Sequence, residues 1–260
     1  MIAASKMRKA QERGLAGRPY SEKIEQVIAD LAALPDIGLQ HPLLQRRPVE
    51  KIAIVHITPD RGLCGGLNAN LNRRLGSYIL EQKNPARVVA VGRKGRDFAL
   101  RSGCDMTAEF IQIGDQPAFL DTLPISHIVI DDYSNGVIDM VYISYAQFIS
   151  TMVQKPVMKQ LLPVEPAVIP GGENVDYIYE PGATAVLGGL LPRFVEMEIY
   201  HAILESIASE QSARMVAMRN ATDSANELID DLTLLYNKAR QEAITKELLD
   251  ITGGVAALEG

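Results

Sequence analysis

Residues 209–251 run "SEQSARMVAMRNATDSANELIDDLTLLYNKARQEAITKELLDI". The stretch holds neither Pro nor Gly, and the same is true back to Arg193. Some 60 residues of continuous helix span about 90 Å at about 1.5 Å per residue. That exceeds the usual helix of a globular domain. Within it, Ala221, Ala225, Leu228, Leu232, Leu235 and Ala239 recur at alternating steps of four and three. Such a seam is the pattern of a coiled coil. A core helix of a bundle is the bland alternative, and its length argues against it. The helix is expected to protrude from a compact body.

Outward from this rod, the N-terminal segment is its natural mate. Ile24, Val27, Ile28, Leu31 and Leu34 recur at helical spacing over residues 1–34. Pro19 is expected to kink that helix. Residues 1–23 carry six Lys/Arg against two Asp/Glu, while residues 193–260 carry six against twelve. Opposite charge suits two helices lying side by side, and because both flank the same middle domain they should run antiparallel. Yet 34 helical residues reach only about 50 Å, leaving about 40 Å of the longer helix unmated. "MIAASKMRKAQ" has no N-cap before it, so the sequence is expected to start inside a helix.

The middle reads as α/β. "KIAIVHIT" (51–58) and "RVVAVG" (87–92) are strand-length β-branched runs separated by a helical pattern over Leu67–Gln82. Strand, helix, strand predicts a parallel pair. Lys94–Ser102 is expected to be helical, and Met106–Ile113 and Ser126–Ile130 to be strands. "IDMVYISYA" (138–146) and "KPVMKQLLPV" (155–164) should form an antiparallel hairpin. The order fits a Rossmann-like doubly wound sheet. Prolines at 35 and 48, then at 163, 166 and 170, divide the chain into a first helix (1–40), an α/β domain (48–165) and a long last helix (181–260), with Pro192 an early interruption.

Composition restricts function. Hydrophobic residues make up 47% of the chain and aromatics 5%, a balance that favours helix packing. A net charge of −6 argues against general nucleic-acid binding. No apolar run reaches the roughly 18 residues of a membrane span, and no secretory signal pattern is present. Cys64 and Cys104 read as two reduced thiols.

"TPDRGLCGGLNAN" (58–70) follows a strand and crowds three glycines into five positions. A phosphate loop needs G-x-x-x-x-G-K-[ST], and no Lys or Ser/Thr stands there. Glycines 62, 65 and 66 do not match G-x-G-x-x-G either. The geometric reading is preferred: glycines allow a sharp turn and close approach of a helix. The four histidines are scattered, without H-x-x-x-H or C-x-x-C spacing, and Asp131–Asp132 read as a turn-forming pair at a strand end rather than a metal site. No catalytic constellation emerges, and neither cofactor nor metal is expected.

These stretches, with "LYNKARQEAITKELLDITGG" (235–254), "MIAASKMRKAQERGLAGRPY" (1–20) and "YIYEP" (177–181), closely resemble the gamma subunit of F-type ATP synthase over essentially the whole chain. The resemblance implies a non-catalytic rotor: a terminal antiparallel coiled coil inside a ring of alpha and beta subunits, with the α/β domain against the epsilon subunit and the c-subunit ring. It places Arg214, Arg240, Gln241, Thr245 and Glu247 where family members contact beta subunits. Tyr177 and Glu180 match the foot that faces epsilon and the c ring, and Lys6, Arg8 and Lys9 lie near the lower opening of the head. Family members usually carry further helical turns before "MIAASKMRKAQ". Plant plastid members carry an inserted cysteine pair, and neither cysteine here lies in such an insert, so no thiol switch is expected. The implied location is peripheral, at the cytoplasmic face of a bacterial plasma membrane. A Rossmann-type nucleotide-binding protein and a self-associating coiled-coil scaffold are the other readings of the same residues.

Overall fold

A computed structural model describes residues 2–32, 41–82, 84–165, 180 and 182–259. The chain divides into two units, Met1–Val216 and Ala217–Gly260. The boundary cuts the C-terminal helix, so the first unit holds the N-terminal helix, the sheet and the early turns of the last helix.

In chain order the elements are α1 (Ile2–Ala32), a 3-10 turn (Pro42–Leu44), β1 (Ile52–Ile57), α2 (Leu67–Glu81), β2 (Ala86–Val91) and α3 (Arg93–Arg101). Then come β3 (Asp105–Phe110), α4 (Phe119–Ser134), β4 (Met140–Phe148), β5 (Gln154–Leu162) and α5 (Ala183–Glu259). The sheet order is β3-β2-β1-β4-β5. β1, β2, β3 and β4 pair in parallel, and β5 closes one edge antiparallel to β4. Every β1 residue is buried, as a central parallel strand requires, whereas edge strand β3 alternates exposed and half-buried.

The two faces of the sheet follow the period of two. Ile52, Ile54, Val88 and Ala90 pack under Leu75 of α2 and Ala99 of α3. Ala53, Val55, Ile57, Val89, Val91, Val141 and Ile143 face the other way, into the main core. That core is completed by Ile125, Val129 and Tyr133 of α4, Ile24, Ile28 and Leu31 of α1, and Leu187, Leu191, Val195 and Ile199 of α5.

Three sequence expectations change. Ser126–Ile130 is not a strand but the middle of α4. A short β-branched run fits either state; here Thr122, Ile125, Val129 and Tyr133 are buried at helical spacing and settle the choice. Asp131 and Asp132 therefore sit in the closing turns of a helix, and the turn follows at Asn135–Gly136, where Gly136 has φ 69°. Pro192 does not interrupt the last helix, which begins at Ala183 and runs through it. Burial of Leu187, Leu191 and Val195 on one side stabilises the helix across the missing N–H.

The helices α1 and α5 run antiparallel within the first unit. Gly17 presses against the ring of His201, close enough that a Cβ there would collide. Eleven residues back along α1, Lys6 reaches Asp115, and ten residues forward along α5, Gln211 reaches the same carboxylate. Within the first unit, α1 therefore lies along the stretch of α5 that holds His201 and Gln211. Leu228, Leu232 and Leu235 are all more than half exposed.

Candidate functional site

The glycine-rich loop lies at the carboxyl end of β1, where ligands bind in many doubly wound sheets. Here its polar groups are turned inward on the chain. The Asp60 carboxylate accepts from Arg93 N at 2.8 Å and from Gln112 N at 2.9 Å. The Thr58 hydroxyl accepts from Gly95 N at 2.7 Å. Arg93 and Gly95 open α3, so side chains from the β1 loop occupy the orphan donors that an anion would otherwise take. Gly92 (φ 94°) lets the α3 entry pass against the Thr58 carbonyl, where no Cβ fits. Of the three loop glycines only Gly65 (φ 58°) needs left-handed backbone; the close approach predicted for this loop occurs at Gly92 and Gly95 instead. Leu63, 73% exposed, adopts φ 62°, uncommon for a side chain of its size.

The order of the sheet reverses between β1 and β4, and α5 fills the crevice there. Ala213 packs with Cys64, Leu67, Leu71 and Ala146. The Ser209 hydroxyl donates to Ala146 O at 2.9 Å, and Glu205 accepts from Phe148 N at 3.2 Å. Burial pushes the Cys64 thiol up, with Glu210 adding to the shift and Arg214 opposing it, so the thiol stays protonated at neutral pH. His56, wholly buried beneath α2, holds Ser144 Oγ at 3.1 Å and Asn72 Oδ1 at 3.0 Å. Desolvation lowers its pKa to about 4 against the upward pull of Asn72, leaving a neutral imidazole.

Arg214 is not a free surface cation. It binds Glu210 at 2.6 Å and donates to Gly62 O at 3.2 Å, tying α5 to the glycine loop. Burial raises the Glu210 pKa and Arg214 opposes it; Asp115 and Asp60 add to the rise. Sequence reading missed Glu210 and Asp115; the i,i+4 spacing of Glu210 and Arg214 was the available signal. With Asp60, Arg61, Arg93, Gln112 and Gly114, Glu210 and Asp115 line an open cleft of about 460 Å³.

In the second unit, Arg240, Gln241, Thr245 and Glu247 are all exposed. Gln241 and Thr245 share one face, one turn apart; Arg240 and Glu247 lie two turns apart on another. The described side chains from Met218 to Val255 are exposed without exception. Of the remaining candidates, Glu180 is exposed and Tyr177 lies outside the described residues. Lys6 pairs with Asp115 at 2.5 Å, Arg8 with Glu12 at 3.3 Å, and Lys9 is exposed. No group of three or more His, Cys, Asp or Glu suited to a metal ion occurs among the described residues.

A family model described as ATP synthase matches residues 1–258. The ATP synthase gamma chain of Dehalococcoides mccartyi is 69% identical over 259 residues, covering 99% of this chain and 91% of that one. The ATP synthase gamma chain of Chloroflexus aurantiacus is 51% identical over 263 residues, with the same coverage. Among solved structures, the central stalk and c ring of Tetrahymena thermophila mitochondrial ATP synthase contains a chain matching with TM-score 0.65 at 23% identity, over 85% of this chain and 96% of that one. A chain of the Euglena gracilis mitochondrial ATP synthase matches with TM-score 0.61 at 21% identity, over 98% and 95% respectively. Near-full-length identity of this order, on the sheet and helices described above, means that the chain belongs to the ATP synthase gamma chain family.

Proposed function

We infer that this chain is the central-stalk rotor subunit of an ATP synthase. It couples ion flow through a membrane-bound c ring to ATP synthesis or hydrolysis on the alpha and beta subunits of the catalytic head, with the epsilon subunit as a further partner. The carrying observation is 69% identity over 259 residues to a protein named ATP synthase gamma chain. The exposed apolar side chains of α5, with Leu228, Leu232, Leu235, Leu248 and Ile251 uncovered in the second unit, support a role that depends on partners. An α5 that fills the ligand crevice of the sheet supports a part that moves other subunits rather than one that holds nucleotide.

The physics of the reading is differential contact. A single chain inside a ring of like subunits presents a different face to each. Each nucleotide state of a beta subunit then prefers one shaft orientation, and turning the shaft biases the nucleotide states. In this reading Arg214, Arg240, Gln241, Thr245 and Glu247 contact beta subunits, and Tyr177 and Glu180 belong to the foot against epsilon and the c ring. The segments 1–40 and 181–260 serve as the shaft, and 48–165 as the foot.

Among the described residues, no helix is long and apolar enough to cross a membrane. A peripheral position at the cytoplasmic face of a bacterial plasma membrane, held through the c ring, fits that observation. The test is reconstitution with alpha and beta subunits and a reporter bead on the foot. ATP-dependent stepwise rotation is expected; an assembled complex that hydrolyses ATP without turning the bead would refute the reading.

A further inference from the structure

We propose that residues 205–214 of α5 form a splined joint, a ring of hydrogen bonds that locks the helix against rotation about its own axis within the first unit. The inference rests on the rotor reading and names the part of the chain where torque passes between helix and sheet.

The segment "ESIASEQSAR" (205–214) concentrates buried polar side chains as no other stretch of described residues does. Ser206, Ser209, Glu210, Gln211 and Ser212 are all buried, Ser209 and Ser212 completely. Glu205, Ser209 and Ser212 share one face at spacing i, i+4, i+7, and that face grips the β4–β5 hairpin. Glu205 accepts from Phe148 N, Ser209 donates to Ala146 O, and Ser212 donates to Thr151 O at 2.7 Å. Pro156, opposite Ala146 in β5, has no N–H to offer that carbonyl, and the serine hydroxyl supplies one. Arg214, about two and a half turns beyond Glu205, lies on the opposite side, where it donates both to Gly62 O and to the Glu210 carboxylate. Between these faces, Gln211 donates to Asp115 Oδ1 at 3.0 Å. Three loops of the sheet, the β1–α2 loop, the β3–α4 loop and the β4–β5 hairpin, are therefore bonded to three sides of less than three helical turns.

Apolar packing already resists turning, because Leu187, Leu191, Val195 and Ile199 are interlocked in the main core. The burial energy itself is non-directional and follows area. Hydrogen bonds to fixed carbonyls are directional. A buried donor or acceptor pulled off its partner finds no water to replace it. Twisting α5 about its axis breaks all of these bonds together, whereas bending it does not. The joint resists the one motion that a rotor shaft must not make relative to its foot.

The test uses the assembled ATP synthase with its head immobilised and a bead on the c ring. Ser209→Ala with Ser212→Ala removes one spline, and Gln211→Leu, which keeps side-chain bulk, removes another independently. Expected results are broader angular fluctuation of the stalled bead and fewer protons pumped per ATP, with ATP hydrolysis by the head retained. Amide exchange across 205–214 should quicken by about tenfold for each hydroxyl removed. Unchanged angular fluctuation in either assembled variant overturns the joint. A wild-type complex that does not rotate refutes the rotor reading, and the joint with it; wild-type rotation beside unaltered variant stiffness removes the joint alone.

Discussion

Glu210 and Arg214 meet at 2.6 Å one turn apart on α5, each side chain less than one-fifth exposed. Their contact joins a carboxylate whose pKa burial raises to a guanidinium that opposes the rise. Removing the cation is the harsher change. Arg214→Met leaves a buried carboxylate without its partner and should lower stability by about 3 kcal/mol. Glu210→Gln retains an acceptor for Arg214 and should lose about 1 kcal/mol. Denaturant titration of the two variants checks the order, and equal losses would contradict it.

The buried imidazole of His56 predicts an acid-side weakness. Its folded pKa is near 4, below the ordinary 6.5. At pH 7 both folded and unfolded chains hold it neutral. As pH falls through 6.5 the unfolded chain takes up a proton that the folded chain refuses until about pH 4. Stability therefore drops across that window, by roughly 3 kcal/mol in all. His56→Gln should start less stable at pH 7 yet lose less between pH 7 and 4.5. Unfolding curves at both pH values supply the comparison, and parallel losses would show that His56 does not titrate as described.

Asp60 closes two main-chain donors in separate segments, Arg93 N and Gln112 N. Asp60→Ala should cost about 2 kcal/mol, and Asp60→Asn, which keeps one acceptor oxygen, about half of that. Thermal melts read the ranking. Faster amide exchange should appear at the α3 entry before it appears in β1.

The uncovered leucines of α5 give the converse prediction. Leu228 and Leu232 are 58% and 55% exposed, so Leu228→Asp or Leu232→Asp should change the stability of the isolated chain by no more than about 0.5 kcal/mol. In the assembled complex the same changes should weaken ATP-driven proton pumping more than loss of any single surface charge. Normal pumping by both variants would contradict the prediction.

The legible parts of the fold were those where periodicity and length agreed. β1 and β2 are largely apolar runs bounded by turns, broken only by His56 and Arg87, and the helix between them shows its period in Leu67, Leu71 and Leu75. The β4–β5 hairpin was legible for the same reason. Ser126–Ile130 was not, because five residues, three of them β-branched and apolar, carry no usable period until Thr122 and Tyr133 extend it. The coiled-coil seam was a true regularity of sequence, but periodicity does not say which stretch of a long helix a shorter one meets. That choice rests on Gly17 against His201 and on the shared carboxylate of Asp115. The exposed candidates Arg240, Gln241, Thr245 and Glu247 came from family likeness. Glu210 and its neighbours were hidden because a run of Ser, Glu and Gln on a helix looks solvated until its surroundings are known.

The crevice between β1 and β4 carries one last consequence. In a sheet of this topology it is the natural berth for a small molecule, and here a helix is moored in it by its own side chains. An inhibitor aimed between those two strands would have to displace α5, whose Ser209 and Ala213 already sit against Ala146. Chemical control of this chain belongs on its uncovered flanks, where only another subunit has to be displaced.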